Sequence, residues 1–215
     1  MKLYIYDHCP FCSRARMIFG LRQMAVEEIV LLNDDETTPI ALIGAKQVPI
    51  LQKADGSHMG ESLDIVNYIN ALSGNPPLAD TRAAVQTWLQ RVGEYINRLI
   101  MPRDVELGLP EFATPESIQY FIDKKEKFIG SFAENRHKTP EYLAKINADL
   151  RDLDALIQSP DWANGATLSL DDIVLFPILR NLSMVKGIVF PEKTLHYVQN
   201  MAQKAKMDLY FDRAL

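Results

Sequence analysis

Two cysteines three positions apart sit where a strand pattern hands over to a helix pattern, and this constrains the chain more than any other feature. Lys2-Leu3-Tyr4-Ile5-Tyr6 alternates as a strand does. Cys9-Pro10-Phe11-Cys12 follows and opens a run to Met24, with Phe11, Ala15, Ile18 and Phe19 at helical spacing. Pro10 suits the first helical position, because its missing N–H would have no helical partner. A cysteine at that junction meets unpaired backbone N–H groups and the positive end of the helix dipole. Both favour the thiolate, which is the nucleophilic form. A second thiol three residues on can attack a mixed disulfide formed at the first. The residues themselves therefore point to thiol–disulfide chemistry.

Cys9 and Cys12 are the only cysteines, which excludes a secreted disulfide scaffold. Structural zinc needs four ligands, and His8, His58, His137 and His196 lie nowhere at finger spacing, so a redox pair is preferred and no metal is expected. The formal charge of −5 and pI near 5.4 argue against a nucleic-acid partner. Met1-Lys2 leads straight into the strand pattern without a signal-like apolar stretch, and the longest apolar run, Ile173 to Leu179, is far short of a bilayer. The expectation is a cytoplasmic protein with no membrane partner.

With 215 residues the chain has room for one large or two small domains. Val26 to Leu32 reads as a second strand. Asn33-Asp34-Asp35-Glu36 is a polar break before a helix from Thr37 or Thr38 to Gly44. Gln47 to Gln52 is a strand led by Pro49, Ala54-Asp55-Gly56-Ser57 a hairpin turn, and His58-Met59-Gly60 a short return. Glu61-Ser62 opens an amphipathic helix with Ser62, Ile65, Val66, Ile69 and Leu72 on one stripe. The break Ser73-Gly74-Asn75-Pro76-Pro77 is the linker signal, giving an α/β domain over 1–73, a linker over 74–81 and an all-helical domain over 82–215. In the latter, helices are expected over Arg82 to Met101 (closed by Pro102), Thr114 to Ala133, Thr139 to Gln158, from Ser169, and Pro191 to Ala205. Ser169-x-x-Asp172 is a variant capping box, and the apolar Ile173–Leu179 run that follows should be central, with a kink at Pro177.

Together these residues carry a resemblance. Cys-Pro-aromatic-Cys after the first strand, Val48-Pro49 before the third and Glu61-Ser62 at a helix start resemble the thioredoxin-like glutathione-binding fold. The helical half, with Ser169-x-x-Asp172, resembles the C-terminal domain of glutathione S-transferases, and the whole chain is similar to the long bacterial glutaredoxins of transferase architecture. Phe11 is a departure, since glutaredoxins more often carry Tyr there. The resemblance implies a glutathione-dependent thiol–disulfide oxidoreductase that reduces glutathione mixed disulfides and protein disulfides. Cys9 would be nucleophile and Cys12 resolving thiol. Phe11, Val48, Pro49, Glu61 and Ser62 would bind glutathione, with Pro49 cis. Its partners would be glutathionylated or disulfide-containing proteins, met by a monomer. The competing reading is a cysteine-type glutathione S-transferase acting on small electrophiles, for which the second thiol has no use.

Overall fold

The computed structural model describes residues 1–215 and divides into two compact units. The first comprises Met1–Pro77 together with Gly108–Phe121, and the second Leu78–Leu107 with Ile122–Leu215. The return of Gly108–Phe121 to the α/β unit has no signal in the sequence, which places that stretch among the helices.

In the first unit β1 (Lys2–Ile5), α1 (Pro10–Leu21), β2 (Glu27–Val30), α2 (Thr37–Ile43), β3 (Ile50–Gln52), β4 (His58–Met59) and α3 (Ser62–Leu72) follow in order. The sheet runs β2-β1-β3-β4, with β1 parallel to β2 and antiparallel to β3, and β3 antiparallel to β4. Leu3 and Ile5 of β1, Ile50 and Leu51 of β3, Ala15, Ile18 and Phe19 of α1, and Ile65, Val66 and Ile69 of α3 are buried and form the core, with α1 packed on α3. The α2 start is helped by Asp35, whose side chain accepts the Thr38 N–H at 2.9 Å. Its stop is Gly44 at φ 76°, a conformation that costs glycine nothing. Two residues leave the stripes expected of them. Phe11 is 52% exposed and Leu72 53%, because the first lies at the very start of α1 and the second at the last turn of α3.

Lys46 ties this unit together from a loop. Its ammonium donates to the Tyr6 hydroxyl at 2.7 Å, the Asn33 carbonyl at 2.9 Å and the Asp35 carbonyl at 2.5 Å, filling its three donor positions.

The second unit holds α4 (Ala83–Gly93), α5 (Ile96–Asp104), the latter part of α6 (Pro115–Ile129), α7 (Phe132–His137), α8 (Thr139–Leu156), α9 (Leu170–Leu182) and α10 (Glu192–Ala205). The long helix expected over Arg82–Met101 is two. It breaks after Gly93, and Pro102 lies inside α5 instead of closing it. The backbone near that proline is served by Arg103, whose Nη1 donates to the Leu99 carbonyl at 2.5 Å. The helix expected to reach Ala133 stops at Gly130, φ 81°, and Ser131 starts α7 by accepting the Glu134 N–H at 3.4 Å. Thr139 does not cap α8: its hydroxyl donates to the Arg136 carbonyl at 2.7 Å and accepts from Arg103 at 2.9 Å. The capping box at α9 is formed, and Ile173 to Leu179 are buried apart from Ile178. Pro177 lies within that continuous helix.

Candidate active site

The loop from Tyr6 to Cys9 leaves the end of β1 and delivers Cys9 as the N-cap residue of α1, with extended backbone, φ −69° and ψ 119°. The Cys12 N–H points back at Cys9 Sγ, 3.5 Å away, so the sulfur takes the place that a capping oxygen fills elsewhere. The Cys9 thiol is drawn down to about 6. Donation from the Cys12 thiol is the largest cause, burial opposes it, and the charge of His8 and the N–H groups of Cys12 and Phe11 add to the lowering. Cys12, one turn in, is fully buried and accepts the Tyr6 N–H at 3.4 Å. Burial pushes its thiol well up, and the hydrogen bond and negative charge it shares with Cys9 push the same way. Two identical side chains thus have opposite acidities. The thiol at the helix mouth is the one placed to ionise, and the inner one is held protonated.

Several neighbours hold the loop. Arg16 pairs with Asp7 and, at 2.9 Å, with Glu28. Arg14 lays its guanidinium over the exposed Phe11 ring, 4.8 Å from its centroid. His8 is buried against Tyr6, Phe112 and Phe121, and its Nδ1 lies 2.6 Å from Glu111 Oε1.

The remaining expected residues form a second group. The Val48–Pro49 peptide is cis, and Pro49 is buried. Register brings this bond to the thiol end of the sheet: Tyr4 pairs with Ile50 in the antiparallel β1–β3 ladder, so the residues before Ile50 lie where β1 runs on towards Cys9. Glu61, exposed, and Ser62, buried, begin α3. Glu61 holds φ 58° and ψ 109°, a left-handed conformation costing an L-residue on the order of 1–3 kcal/mol. Its carboxylate accepts from Gln47 Nε2 at 2.9 Å, which ties the start of α3 to the residue before Val48. No cluster of three or more His, Cys, Asp or Glu side chains is placed to hold a metal ion.

Comparison with known proteins decides what this frame is. The model for the glutaredoxin 2 C-terminal domain matches residues 84–214, and that for the glutathione S-transferase N-terminal domain matches residues 3–77. Glutaredoxin 2 of Escherichia coli is 49% identical over 216 aligned positions that cover 100% of both chains. The chain belongs to the glutaredoxin 2 family. Its class is that of a glutathione-dependent oxidoreductase. A crystal structure of glutaredoxin 2 from Salmonella typhimurium in complex with glutathione superposes with a TM-score of 0.96 at 49% identity, covering 100% of this chain and 98% of the other. A glutathione S-transferase from Rhodospirillum rubrum shares the fold at a TM-score of 0.58 and 19% identity, covering 94% and 86%.

Within this glutaredoxin 2 frame, three side chains that crowd the thiol loop were not singled out from the sequence. Lys46 and Glu111 carry no motif. His8 is adjacent to Cys9, and that adjacency was the available signal.

Proposed function

We propose that this member of the glutaredoxin 2 family reduces glutathione mixed disulfides and protein disulfides, with Cys9 as nucleophile, Cys12 as resolving thiol and glutathione as cosubstrate. The observation that carries the reading is the placement of the two thiols: Cys9 is the N-cap of α1 with the Cys12 N–H 3.5 Å from its sulfur, and Cys12 is fully buried one turn in, an arrangement that pushes their acidities apart.

The Cys9 thiolate attacks the glutathione sulfur of a glutathionylated protein. A Cys9–glutathione disulfide forms, the old S–S bond breaks, and the protein sulfur leaves as a thiolate that takes a proton from solvent. A second glutathione, as thiolate, attacks the glutathione sulfur of that intermediate. Oxidised glutathione departs, and Cys9 leaves as a thiolate. The lowered pKa of Cys9 serves both steps, since a thiol of low pKa is ionised when it attacks and leaves readily when displaced. On a protein disulfide, Cys9 first forms a mixed disulfide with one protein sulfur. Cys12 then attacks Cys9 Sγ, a Cys9–Cys12 disulfide closes, and the protein is released reduced. Two glutathiones reopen it.

Glutathione is held by residues of the first unit. The backbone of Val48, ahead of cis-Pro49 and β3, offers its N–H and C=O to the cysteinyl part of the tripeptide in the manner of an added strand. The N–H groups at the start of α3, Ser62 among them, receive the γ-glutamyl carboxylate, as helix N-termini receive anions. The Glu61 carboxylate takes the ammonium, and Phe11 covers the sulfur from the rim of α1. The costly backbone of Glu61 supports this assignment, since such strain collects at ligand clamps. The chain acts as a monomer in the cytoplasm, where the glutathione pool regenerates it. None of its helices is long and apolar enough to cross a membrane.

The roles of the two thiols are separable. Cys12→Ser keeps most of the turnover of a glutathionylated peptide and loses reduction of an intramolecular protein disulfide, while Cys9→Ser loses both. Identical behaviour of the two variants on the glutathionylated peptide would overturn the assignment.

A further inference from the structure

The proposed disulfide exchange leaves unused two buried polar side chains at the thiol loop, His8 and Glu111. His8 precedes the nucleophile directly and is 8% exposed. Its ring stacks on Tyr6 with centroids 5.8 Å apart, tilts against Phe112 at 5.1 Å and meets Phe121 edge-on at 5.2 Å. Oε1 of Glu111 lies 2.6 Å from Nδ1 of that ring and accepts the His8 backbone N–H at 2.9 Å as well. Glu111 is 0% exposed, and its second oxygen, Oε2, is buried without a hydrogen-bond partner. The residue is fixed by its backbone in the short helical turn Pro110–Phe112, where its carbonyl accepts the Asn33 N–H at 2.9 Å.

A carboxylate removed from water in this way is very costly unless a cation compensates it. The neighbouring cations are engaged elsewhere: Arg16 with Asp7 and Glu28, Lys46 with Tyr6 and two carbonyls, Arg14 over Phe11. The basic side chain in contact with Glu111 is His8. A buried acid bound to the imidazole of the residue that precedes a thiol resembles the arrangement by which a third group orients the partner of a nucleophile.

We propose that Glu111 and His8 form a buried charge pair acting on Cys9, in which the carboxylate keeps an imidazolium beside the thiol and the imidazolium keeps the thiol ionised. The proposal rests on Cys9 being the nucleophile. Neither residue touches the substrate, so both are positioning residues. The lowering of the Cys9 thiol, to which His8 contributes after the donation from Cys12, agrees with the geometry. The groups facing the pair and its thiol are Cys12, Arg14 and the Asp7–Arg16 pair on α1 and its approach. Tyr6, stacked on the His8 ring, has Lys46, Tyr120 and Asp35 as its own neighbours. Arginine and lysine side chains ordinarily titrate far above neutrality, so the imidazole is the basic group whose charge a neighbouring carboxylate can decide.

The test is the pH dependence of Cys9 alkylation by iodoacetamide, followed at the Cys9 peptide by mass spectrometry in the full-length protein. Glu111→Gln keeps the shape and removes the charge, and His8→Gln removes the ring. Each is expected to raise the alkylation midpoint by about one pH unit or more, which means about tenfold less thiolate below the midpoint. The double variant is expected to move it no further than His8→Gln alone. An unchanged midpoint in Glu111→Gln, or a double variant shifted by the sum of the two, overturns the pair. Where a variant does not fold, nitrogen NMR of His8 in the unsubstituted protein decides. Protonation of both ring nitrogens at neutral pH supports the proposal, and a neutral ring refutes it. Alkylation uses no glutathione, so its outcome is independent of the disulfide-exchange reading. That reading stands or falls on the turnover of hydroxyethyl disulfide and its loss in Cys9→Ser.

Discussion

Two buried polar networks, one in each unit, stand in instructive contrast. At the head of α9 the Asp172 carboxylate receives the Ala163 N–H at 2.8 Å and the Tyr197 hydroxyl at 3.0 Å on one oxygen. On the other it receives the Ser169 N–H at 2.9 Å and hydroxyl at 3.3 Å. Asp171 beside it pairs with Arg82, whose guanidinium also donates to the Leu156 and Ala163 carbonyls at 2.9 Å. Every oxygen of Asp172 is answered. Against the loop ahead of α1, by contrast, Glu111 of the turn Pro110–Phe112 is left with one orphan oxygen, and Ser13 Oγ and Arg14 Nε in α1 are likewise buried without partners. A saturated network fixes a fold, whereas an unsaturated one beside the proposed nucleophile leaves charge to act on it. The lesson is that burial alone does not separate a structural network from a chemical one.

The contrast can be tested from its strongest consequence downwards. Cys9→Ser should abolish turnover of both glutathionylated peptide and hydroxyethyl disulfide while changing the urea midpoint of the reduced protein little. A large loss of stability would blur the line between the two networks. Asp172→Ala should do the opposite. It strands the buried Tyr197 hydroxyl and two N–H groups, and should cost about 3–5 kcal/mol in denaturant unfolding. The Cys9 alkylation midpoint of the folded protein should stay where it was.

In the reduced protein the rate of Cys9 alkylation should rise with pH around a midpoint near 6, while Cys12 stays unreactive beyond the ordinary thiol range. The sign for stability follows. A thiol whose folded value lies below its unfolded one adds stability that is complete above the unfolded value, and it is lost as pH falls through about 6. Reduced protein should therefore lose stability relative to Cys9→Ser on acidification through that range, measured by urea midpoints. The smallest effect should come from Tyr197→Phe. It removes one of four donors to Asp172 and is expected to cost about 1–2 kcal/mol with no change in turnover.

Much of this was written locally in the chain. Cys9 and Pro10 announce a helix start, Gly44 a stop, and Ser169 with Asp172 a capping box, because each of those signals lives within a few residues of what it controls. Val48-Pro49 was legible only through resemblance, since most X-Pro bonds are trans and nothing in the local residues says otherwise. The breaks at Gly93 and Gly130 were missed because one glycine within a helical pattern is tolerated as often as it terminates. His8 and Glu111 lie 103 positions apart, and their meeting depends on Gly108–Phe121 joining the α/β unit. No periodicity encodes that. Lys46 escaped notice for the same reason, as its three acceptors come from β1's end and from the turn before α2.

One consequence lies in the coupling of the two thiols at the head of α1. While Cys9 is ionised, its charge and its claim on the Cys12 proton both hold the inner sulfur inert. Once Cys9 is captured in a mixed disulfide that charge is gone, and two of the influences suppressing Cys12 vanish together. In the proposed cycle the motif would thus time itself, waking its second sulfur only after the first has been spent.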